Sequence, residues 1–276
     1  MKLGGKLRSW LGSGNVLASA LAVGALALLA GFIAVPIISL VVWTVDREAW
    51  QAMVSPVAID ALLLSAKTTA ASITTLIVVG TPAAYVLARA NFRGKRILDT
   101  IVDIPVALPP SAAGIALLLA FGRMGLLGEQ LRLLGITLPF TTAAVVLAEI
   151  FVATPFYVRQ AVTGFSRVDR EIEEAAMVDG ASRFTAFFRI TLPLTSPALV
   201  AGAITAWARA LGEFGATIIF AGNLPGITQT VPLAIYGTSE SNFNAAVALS
   251  VLVLGFAFTI ILAARYLARK VAEYEA

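Results

Sequence analysis

The sequence predicts an all-α membrane protein with six transmembrane helices and both termini in the cytoplasm. Apolar residues make up 59% of the chain and charged residues only 13%, a composition outside the range of soluble domains. Six segments approach or exceed the roughly 20 apolar residues that a helix needs to cross a bilayer core. Most Lys and Arg residues also fall on one side of this six-span arrangement, which orients it.

The six predicted spans follow one another with mostly short connections. Pro105, Pro109 and Pro110 interrupt the third, while Glu149 and Pro155 lie inside the fourth; membrane helices tolerate proline where neighbouring helices satisfy the freed carbonyls. The approximate ranges are 16–44, 58–88, 98–121, 141–163, 194–221 and 245–268.

The first span follows basic residues and superficially resembles a signal peptide. Its apolar run, roughly Val16 to Val45, is much longer than the roughly 7–15 residues of a signal-peptide core. We therefore expect a retained helix after the basic residues Lys2, Lys6 and Arg8.

The distribution of basic residues predicts the orientation. Residues 1–15, the loop 89–97, the segment 159–193 and the C-terminal end together carry most of the 20 Lys and Arg. The opposite side carries only Arg47, Arg123 and Arg132. By the positive-inside rule, both termini are expected in the cytoplasm.

The composition also excludes several classes of site. The chain contains no Cys and no His, so a disulfide framework, a thiolate metal site and a Ser-His-Asp hydrolytic site are excluded. We therefore predict no catalytic residue and no metal ligand. The outer connections, 46–57, 122–140 and 222–244, are too short for a folded domain. Recognition of an external solute thus requires another protein or a pocket among the helices.

The inner segment 164–193 has helix signals of its own. Ser166 and Asp169 have the spacing of a capping box, which predicts that a helix starts there. Gly180 is placed to end that helix, and a second short helix is expected around Arg183 to Ile190, before the fifth span.

This segment carries an unusually apolar surface for a polar-side element. It either folds against the inner ends of the spans or docks onto a partner, and the amphipathic pattern alone does not choose between these. The apolar residues are Ile172, Ala175, Ala176, Val178, Phe184, Phe187 and Phe188.

The string Glu174-Ala175-Ala176-x3-Gly180-x9-Ile190-x-Leu192-Pro193 resembles the conserved cytoplasmic loop of ABC importer permeases. The resemblance implies a type I importer permease whose loop docks in a groove of a separate ATPase. Ala175 and Ala176 would permit close approach, Glu174 would make a charged contact, and Gly180 would form the bend. Asp179 and Arg183 would pair with the ATPase or with each other.

The resemblance also implies the assembly. The chain has no G-x-x-x-x-G-K-[ST] motif, so it is expected to need no cofactor itself, and ATP and Mg would be bound by the partner. A single six-span chain cannot easily enclose a path, so we expect a homodimer with two ATP-binding subunits and an external solute-binding protein. The location implied is the cytoplasmic (inner) membrane of a prokaryote.

These expectations divide the chain into functional parts. The first helix and its outer loop occupy 16–57, and the permease core with five spans occupies 58–268. The coupling loop lies within that core at 164–193, between a cytoplasmic N-terminus, 1–15, and a cytoplasmic tail, 269–276.

Three stretches resemble the molybdate and sulfate branch of these permeases: 108–122, 209–217 and 221–236. The last is more similar to molybdate permeases, so molybdate is the expected solute, with tungstate and sulfate as alternatives. An ion-coupled secondary transporter and a non-transporting membrane anchor or assembly factor are hypotheses of other classes. The first leaves the pattern at 174–193 unexplained, and the second predicts no solute-dependent ATP hydrolysis in a reconstituted complex.

Neutral hydrogen-bond donors are expected along a path for a tetrahedral dianion, because fixed cations bind such an ion too tightly to release it. Hydroxyls and exposed amides of the third and fifth spans could supply them, although small residues in membranes more often serve helix packing. The candidates are Ser111, Gly114, Gly212, Gly215 and Thr217.

Charged residues inside the spans need partners. Arg209 and Glu213 lie four apart and are expected to neutralise each other, either as a structural pair or as part of a gate. Lys67 could attract an oxyanion or extend to the outer surface. Glu149 is expected to pair with a base that the sequence does not identify.

Overall fold

The computed structural model describes residues 16–44 and 47–274, and all regular structure in these residues is helical. The helices are α1 Val16–Val42, α2 Arg47–Met53, α3 Pro56–Arg89, α4 Lys95–Ala107, α5 Pro110–Phe121, α6 Gly128–Leu133, α7 Thr142–Arg167, α8 Arg170–Val178, α9 Arg183–Leu211, α10 Gly215–Phe220, α11 Val231–Ser239 and α12 Phe243–Tyr274. Two of the long helices, α3 and α9, each contain one π-helical turn, at Leu76–Gly80 and Phe187–Thr191.

The described residues contain five helices that are long and apolar enough to cross a membrane: α1, α3, α7, α9 and α12. The predicted third span is instead a bent pair, with α4 and α5 meeting at 120°. Pro109 and Pro110 cause the break, since neither donates a backbone hydrogen bond and residues before proline avoid the helical region. The prediction of six spans holds when this pair is counted as one broken span. Lys2, Lys6 and Arg8 lie outside the described residues.

Helix α7 lies at the centre of the chain. One buried cluster joins it to α3 and α9, including Tyr157 and Phe165 of α7. A second joins its first half to α5 and α10 around Val145 and Phe220. A third cluster packs the start of α3 against α11 and α12. In contrast, the apolar window of α1 is 0% buried within the chain.

Glycines allow α7 and α9 to approach closely. A Cβ added to Gly164 of α7 would lie 2.5 Å from the Cβ of Ala198, and one added to Gly202 of α9 would lie 3.0 Å from the Cβ of Gln160. Lipid tails are as apolar as the helix surfaces, so association inside a membrane depends on such close packing. These two contacts fix the spacing of the central helix pair.

Glu149 is almost fully buried in α7 and is held by hydroxyl groups. Its two carboxylate oxygens accept hydrogen bonds from Thr68 Oγ1 at 2.8 Å and Ser72 Oγ at 2.7 Å, both on α3. The prediction that Glu149 pairs with a base was wrong. Two hydroxyl donors satisfy the carboxyl group without bringing a second charge into the membrane.

At the opposite end of α7, an ion-pair group joins it to α4. Arg159 contacts Asp103 at 2.6 Å and Asp99 at 3.1 Å. The bidentate contact to Asp103 is the geometry that best suits a guanidinium and a carboxylate. The bent α4–α5 pair is thereby fixed to the central helix at this end.

The fifth predicted span differs from the observed helix at both ends. The separate short helix expected around Arg183 to Ile190 is the first part of α9, which continues through a π-helical turn to Leu211. Pro193 is the second residue after that turn, whose wider hydrogen-bond spacing accommodates a residue without an N–H. The far end breaks at Gly212, and α10 forms a separate turn beyond it.

We predict that Gly164→Ala lowers the free energy of unfolding of the detergent-solubilised chain by about 1–3 kcal/mol through overpacking. The change is measured as a lower melting temperature. Ala198 presents its Cβ, which cannot rotate away, so the two helices must separate. The matched control is Gly255→Ala in α12, where an added Cβ meets no atom within 4 Å. Equal melting temperatures for both variants and the parent chain would contradict the close-packing interpretation.

Candidate coupling site and translocation path

The 164–193 segment turns sharply where α7 ends. Asp169 caps α8, its carboxylate accepting a hydrogen bond from the Glu171 amide at 3.1 Å. Ser166 still belongs to α7, so the predicted capping box starting at that residue was wrong. The capping residue is instead the carboxylate nearest the turn, since Asp in extended conformation satisfies the free amides of the first helical turn.

Gly180 forms the bend between α8 and α9, as predicted. Its φ of +93° lies in the left-handed region, which glycine adopts without steric cost. The Ala181 amide donates to the Ala176 carbonyl at 2.9 Å, and the Gly180 amide donates to the Met177 carbonyl at 3.1 Å. This pair of bonds is the Schellman arrangement that closes a helix C-terminus.

One face of this segment packs into the bundle. The ring of Phe187 lies 4.9 Å from that of Tyr85 on α3 and 6.2 Å from that of Phe165 on α7, measured between centroids. Ala186 beside it is buried. This aromatic cluster (Tyr85, Phe165 and Phe187) makes the start of α9 continuous with the core.

The other face is apolar and open. Val178 is 87% exposed and Phe184 is 73% exposed, on either side of the Gly180 bend. Ala175 is also exposed and Ala176 is half-buried, so the small residues of the sequence pattern flank this surface. We call it the open apolar face and define it by Val178 and Phe184. Ile172, Met177 and Phe188 are also exposed, but they line three separate cavities.

The charged residues predicted for this segment also face outwards. Glu174, Asp179 and Arg183 are exposed. Within the part of the chain that the structure describes, Asp179 and Arg183 make no ion pair with each other, so the internal salt bridge considered for them is absent. Pairing with an ATPase stays a prediction.

Sequence reasoning missed a polar group beneath the segment. Glu173, adjacent to the exposed Glu174, points inwards and contacts Arg89 at 2.8 Å. The same carboxylate oxygen accepts a hydrogen bond from Thr191 Oγ1 at 2.7 Å. A basic residue at the end of an apolar span was the available signal. Nothing in the sequence distinguishes Glu173 from Glu171 or Glu174 as its partner.

Two glycines proposed for the translocation path are packing contacts. A Cβ on Gly114 of α5 would lie 2.9 Å from the carbonyl oxygen of Ala216, and one on Gly215 would lie 2.5 Å from the Cβ of Pro110. They allow α5 and α10 to cross closely. The geometry therefore favours the packing interpretation for both.

The other candidates differ in exposure. Ser111, Gly212 and Lys67 lie on the surface of the chain, and Ser111 occupies the first turn of α5, where backbone amides lack intrahelical partners. Thr217 is fully buried, and its hydroxyl has no hydrogen-bond partner among the described residues. The exposed residues are available to a path on the chain's surface, and Thr217 is not.

Arg209 and Glu213 form the predicted ion pair, with Nη2 and Oε2 2.6 Å apart. The Glu213 side chain is only 1% exposed, whereas that of Arg209 is 29% exposed. Glu213 also accepts a hydrogen bond from the Ala216 amide at 2.7 Å, so it bridges the break between α9 and α10. The pair fixes this break and presents part of Arg209 to the surface.

The chain is similar to known transport proteins over most of its length. The molybdenum transport system permease protein of Mycobacterium tuberculosis is 42% identical over 231 residues, covering 84% of this chain and 88% of that protein. A probable sulfate transport system permease protein of Chlorokybus atmophyticus is 39% identical over 196 residues, covering 70% of this chain and 68% of that protein.

The fold is also known. A chain of the crystal structure of a bacterial ABC transporter involved in the import of alginate matches with a TM-score of 0.73. That match has 17% sequence identity and covers 96% of this chain and 99% of the other. At this identity the likeness shows the fold alone.

Residues 77–273, which include α7, the open apolar face and the α9–α10 break, match the family described as binding-protein-dependent transport system inner membrane component. The helical architecture with its spans agrees with an inner-membrane location. This protein belongs to that family of transport permeases.

Proposed function

We propose that the chain is the membrane-spanning subunit of an ATP-driven molybdate importer. In this proposal two copies form a homodimer, bind two ATP-binding subunits, and receive the solute from an external binding protein. The observation that carries the proposal is the open apolar face on the 164–193 segment, in a chain whose relatives are transport permeases.

The open apolar face favours a protein partner in the cytoplasm. It belongs to the end of the bundle where the basic residues concentrate, which is the cytoplasmic side by the positive-inside rule. Glu174 and Asp179 are exposed beside it, and carboxylates oppose insertion into lipid. Exposed apolar side chains rimmed by charges are typical of a docking site. The family resemblance supports an ATPase as the occupant, and in this proposal that subunit would bind ATP and Mg.

The packing within a single chain is compatible with a translocation path between two copies of the chain. Among the described residues, buried clusters pack α7 against its neighbours at the centre of the bundle. Ser111, Gly212 and part of Arg209 lie on the surface instead. In a symmetric dimer these groups from both copies would face one path and offer hydroxyl, amide and guanidinium donors to an oxyanion.

Sequence similarity to the relatives favours molybdate over the other oxyanions as the solute. The mycobacterial molybdenum permease is more similar to this chain, over more of its length, than the sulfate permease. Tungstate and sulfate have the same tetrahedral shape and charge, so they remain the alternatives. An ion-coupled secondary transporter is disfavoured because it gives no role to the open apolar face.

We expect ATP hydrolysis by the reconstituted complex to rise most when the binding protein is loaded with molybdate. The measurement is the hydrolysis rate in proteoliposomes, with the binding protein loaded in turn with molybdate, tungstate or sulfate. The unloaded binding protein is the control. Stimulation by sulfate alone would change the assigned solute, and stimulation by none of the three would reject an oxyanion importer.

We predict that Phe184→Asp weakens binding of the ATPase subunit at least about tenfold, because it places an unpaired charge in a desolvated apolar contact. Binding is measured by titrating the detergent-solubilised chain with the isolated ATPase. Leu134→Asp is the matched control, since Leu134 is 74% exposed against 73% for Phe184 and follows α6 in an outer connection. Equal affinities for the two variants would show that the open apolar face does not dock the ATPase.

A further inference from the structure

The structure points to a mechanical link between the 164–193 segment and α3. We propose that the Arg89–Glu173 ion pair carries movement of this segment into the inner half of α3, so that both move as one body during transport. This inference rests on the proposed coupling to an ATPase and names the contact that transmits the motion inside the chain.

Arg89 is the last residue of α3 and joins three parts of the segment. Its Nη2 contacts Glu173 of α8 at 2.8 Å and donates to the Val168 carbonyl, in the turn after α7, at 2.9 Å. Arg170 of α8 donates a hydrogen bond to the Arg89 carbonyl at 2.9 Å. Glu173 extends the group to α9 through Thr191, as described above.

The ion pair is mostly buried. The side chains of Arg89 and Glu173 are 12% and 16% exposed, and they line a cavity of about 270 Å³ together with Arg170, Glu174 and Arg183. Removal of one partner leaves the other charge mostly buried and without its ion-pair contact. The pair therefore resists separation more strongly than a surface ion pair.

The contacts around the pair define a compact unit. Tyr85, one turn before Arg89, packs against Phe165 and Phe187 with ring centroids 5.3 and 4.9 Å away. The inner part of α3 is thus held to α9 by an aromatic contact and to α8 by an ionic one. A push on α8 or α9 displaces both contacts together.

One π-helical turn precedes this unit in α3, and a second lies within it in α9. Leu76–Gly80 lies in α3 before the inner half, Thr81–Arg89, and Phe187–Thr191 lies in α9 where the segment joins the span. A π turn interrupts the regular hydrogen-bond ladder and is a place where helices bend. The inner half of α3 can therefore tilt with the segment, while the outer half stays fixed through Ser72 and Thr68 on Glu149.

The test compares transport per ATP hydrolysed in the complete reconstituted complex. Arg89→Gln is expected to lower this ratio about five- to tenfold while leaving ATPase binding unchanged, since Arg89 is not on the open apolar face. Adding Glu173→Gln to that variant removes the unpaired charge and permits an amide-to-amide hydrogen bond. The double variant is therefore expected to recover most of the ratio, a non-additive result that indicates direct coupling.

Arg159→Gln is the matched control. It breaks an ion pair at the same end of the bundle, with Asp99 and Asp103, which does not touch the 164–193 segment. This variant is expected to lower thermal stability without changing transport per ATP. An equal loss of coupling in Arg159→Gln and Arg89→Gln would overturn the link and indicate a general effect of instability.

A second readout follows α3 directly. The chain has no Cys, so Val86→Cys, on the exposed side of the inner half of α3, accepts a single fluorescent probe before assembly with the partner. ATP is expected to change the probe's emission in the otherwise unaltered chain and not in the Arg89→Gln background. A response of equal size in both backgrounds would overturn the proposal.

The outcomes separate this inference from the proposed function. If the unaltered complex shows no ATP-driven transport, the proposed function fails. If that complex transports but Arg89→Gln keeps its ratio, only the link fails. Should Arg89→Gln not assemble, Glu173→Gln is the decisive variant because it retains an acceptor for Thr191; a normal ratio in that variant rejects the link.

Discussion

Close packing of α7 against its neighbours is the constraint on which the rest of the structure depends. Within a bilayer, burial of apolar surface between helices gains little, because the lipid is equally apolar. Stability must come from helices that approach closely and from polar groups that are fully satisfied. Gly164 and Gly202 provide the first at the α7–α9 contact, and Glu149 with its two hydroxyl donors provides the second at the α7–α3 contact.

This central packing also separates scaffold from moving parts. The outer half of α3, the first half of α7 and the α5–α10 crossing are joined by hydrogen bonds and glycine contacts that leave little freedom. The inner half of α3 and the 164–193 segment are joined to each other by Arg89 and Glu173. One π-helical turn precedes the inner half of α3, and the other lies near the end of the segment. In the proposed importer, one chain thus carries a fixed outer body and an inner body that an ATPase can move.

Two neighbouring carboxylates show the same separation between contacts within the chain and contacts with a partner. Glu173 and Glu174 are consecutive on α8, yet one is held inside by Arg89 and the other is exposed beside the open apolar face. Successive residues of an α-helix are rotated by about 100° around its axis, so adjacent side chains lie on different faces. The inner carboxylate is therefore suited to a contact within the chain, and the outer one to a contact with a partner.

The sequence by itself determined the membrane class, the approximate spans, the bend at Gly180 and the Arg209–Glu213 pair. These depend on local properties: apolar length, the φ freedom of glycine, and the four-residue spacing of a helical face. Only the tertiary structure decided the α4–α5 bend angle, the continuity of α9 through Pro193, and the hydroxyl partners of Glu149. It also decided the Arg89–Glu173 pair, whose members lie 84 residues apart. Sequence spacing carries no information about such contacts, because packing of helices far apart in the chain sets which side chains meet.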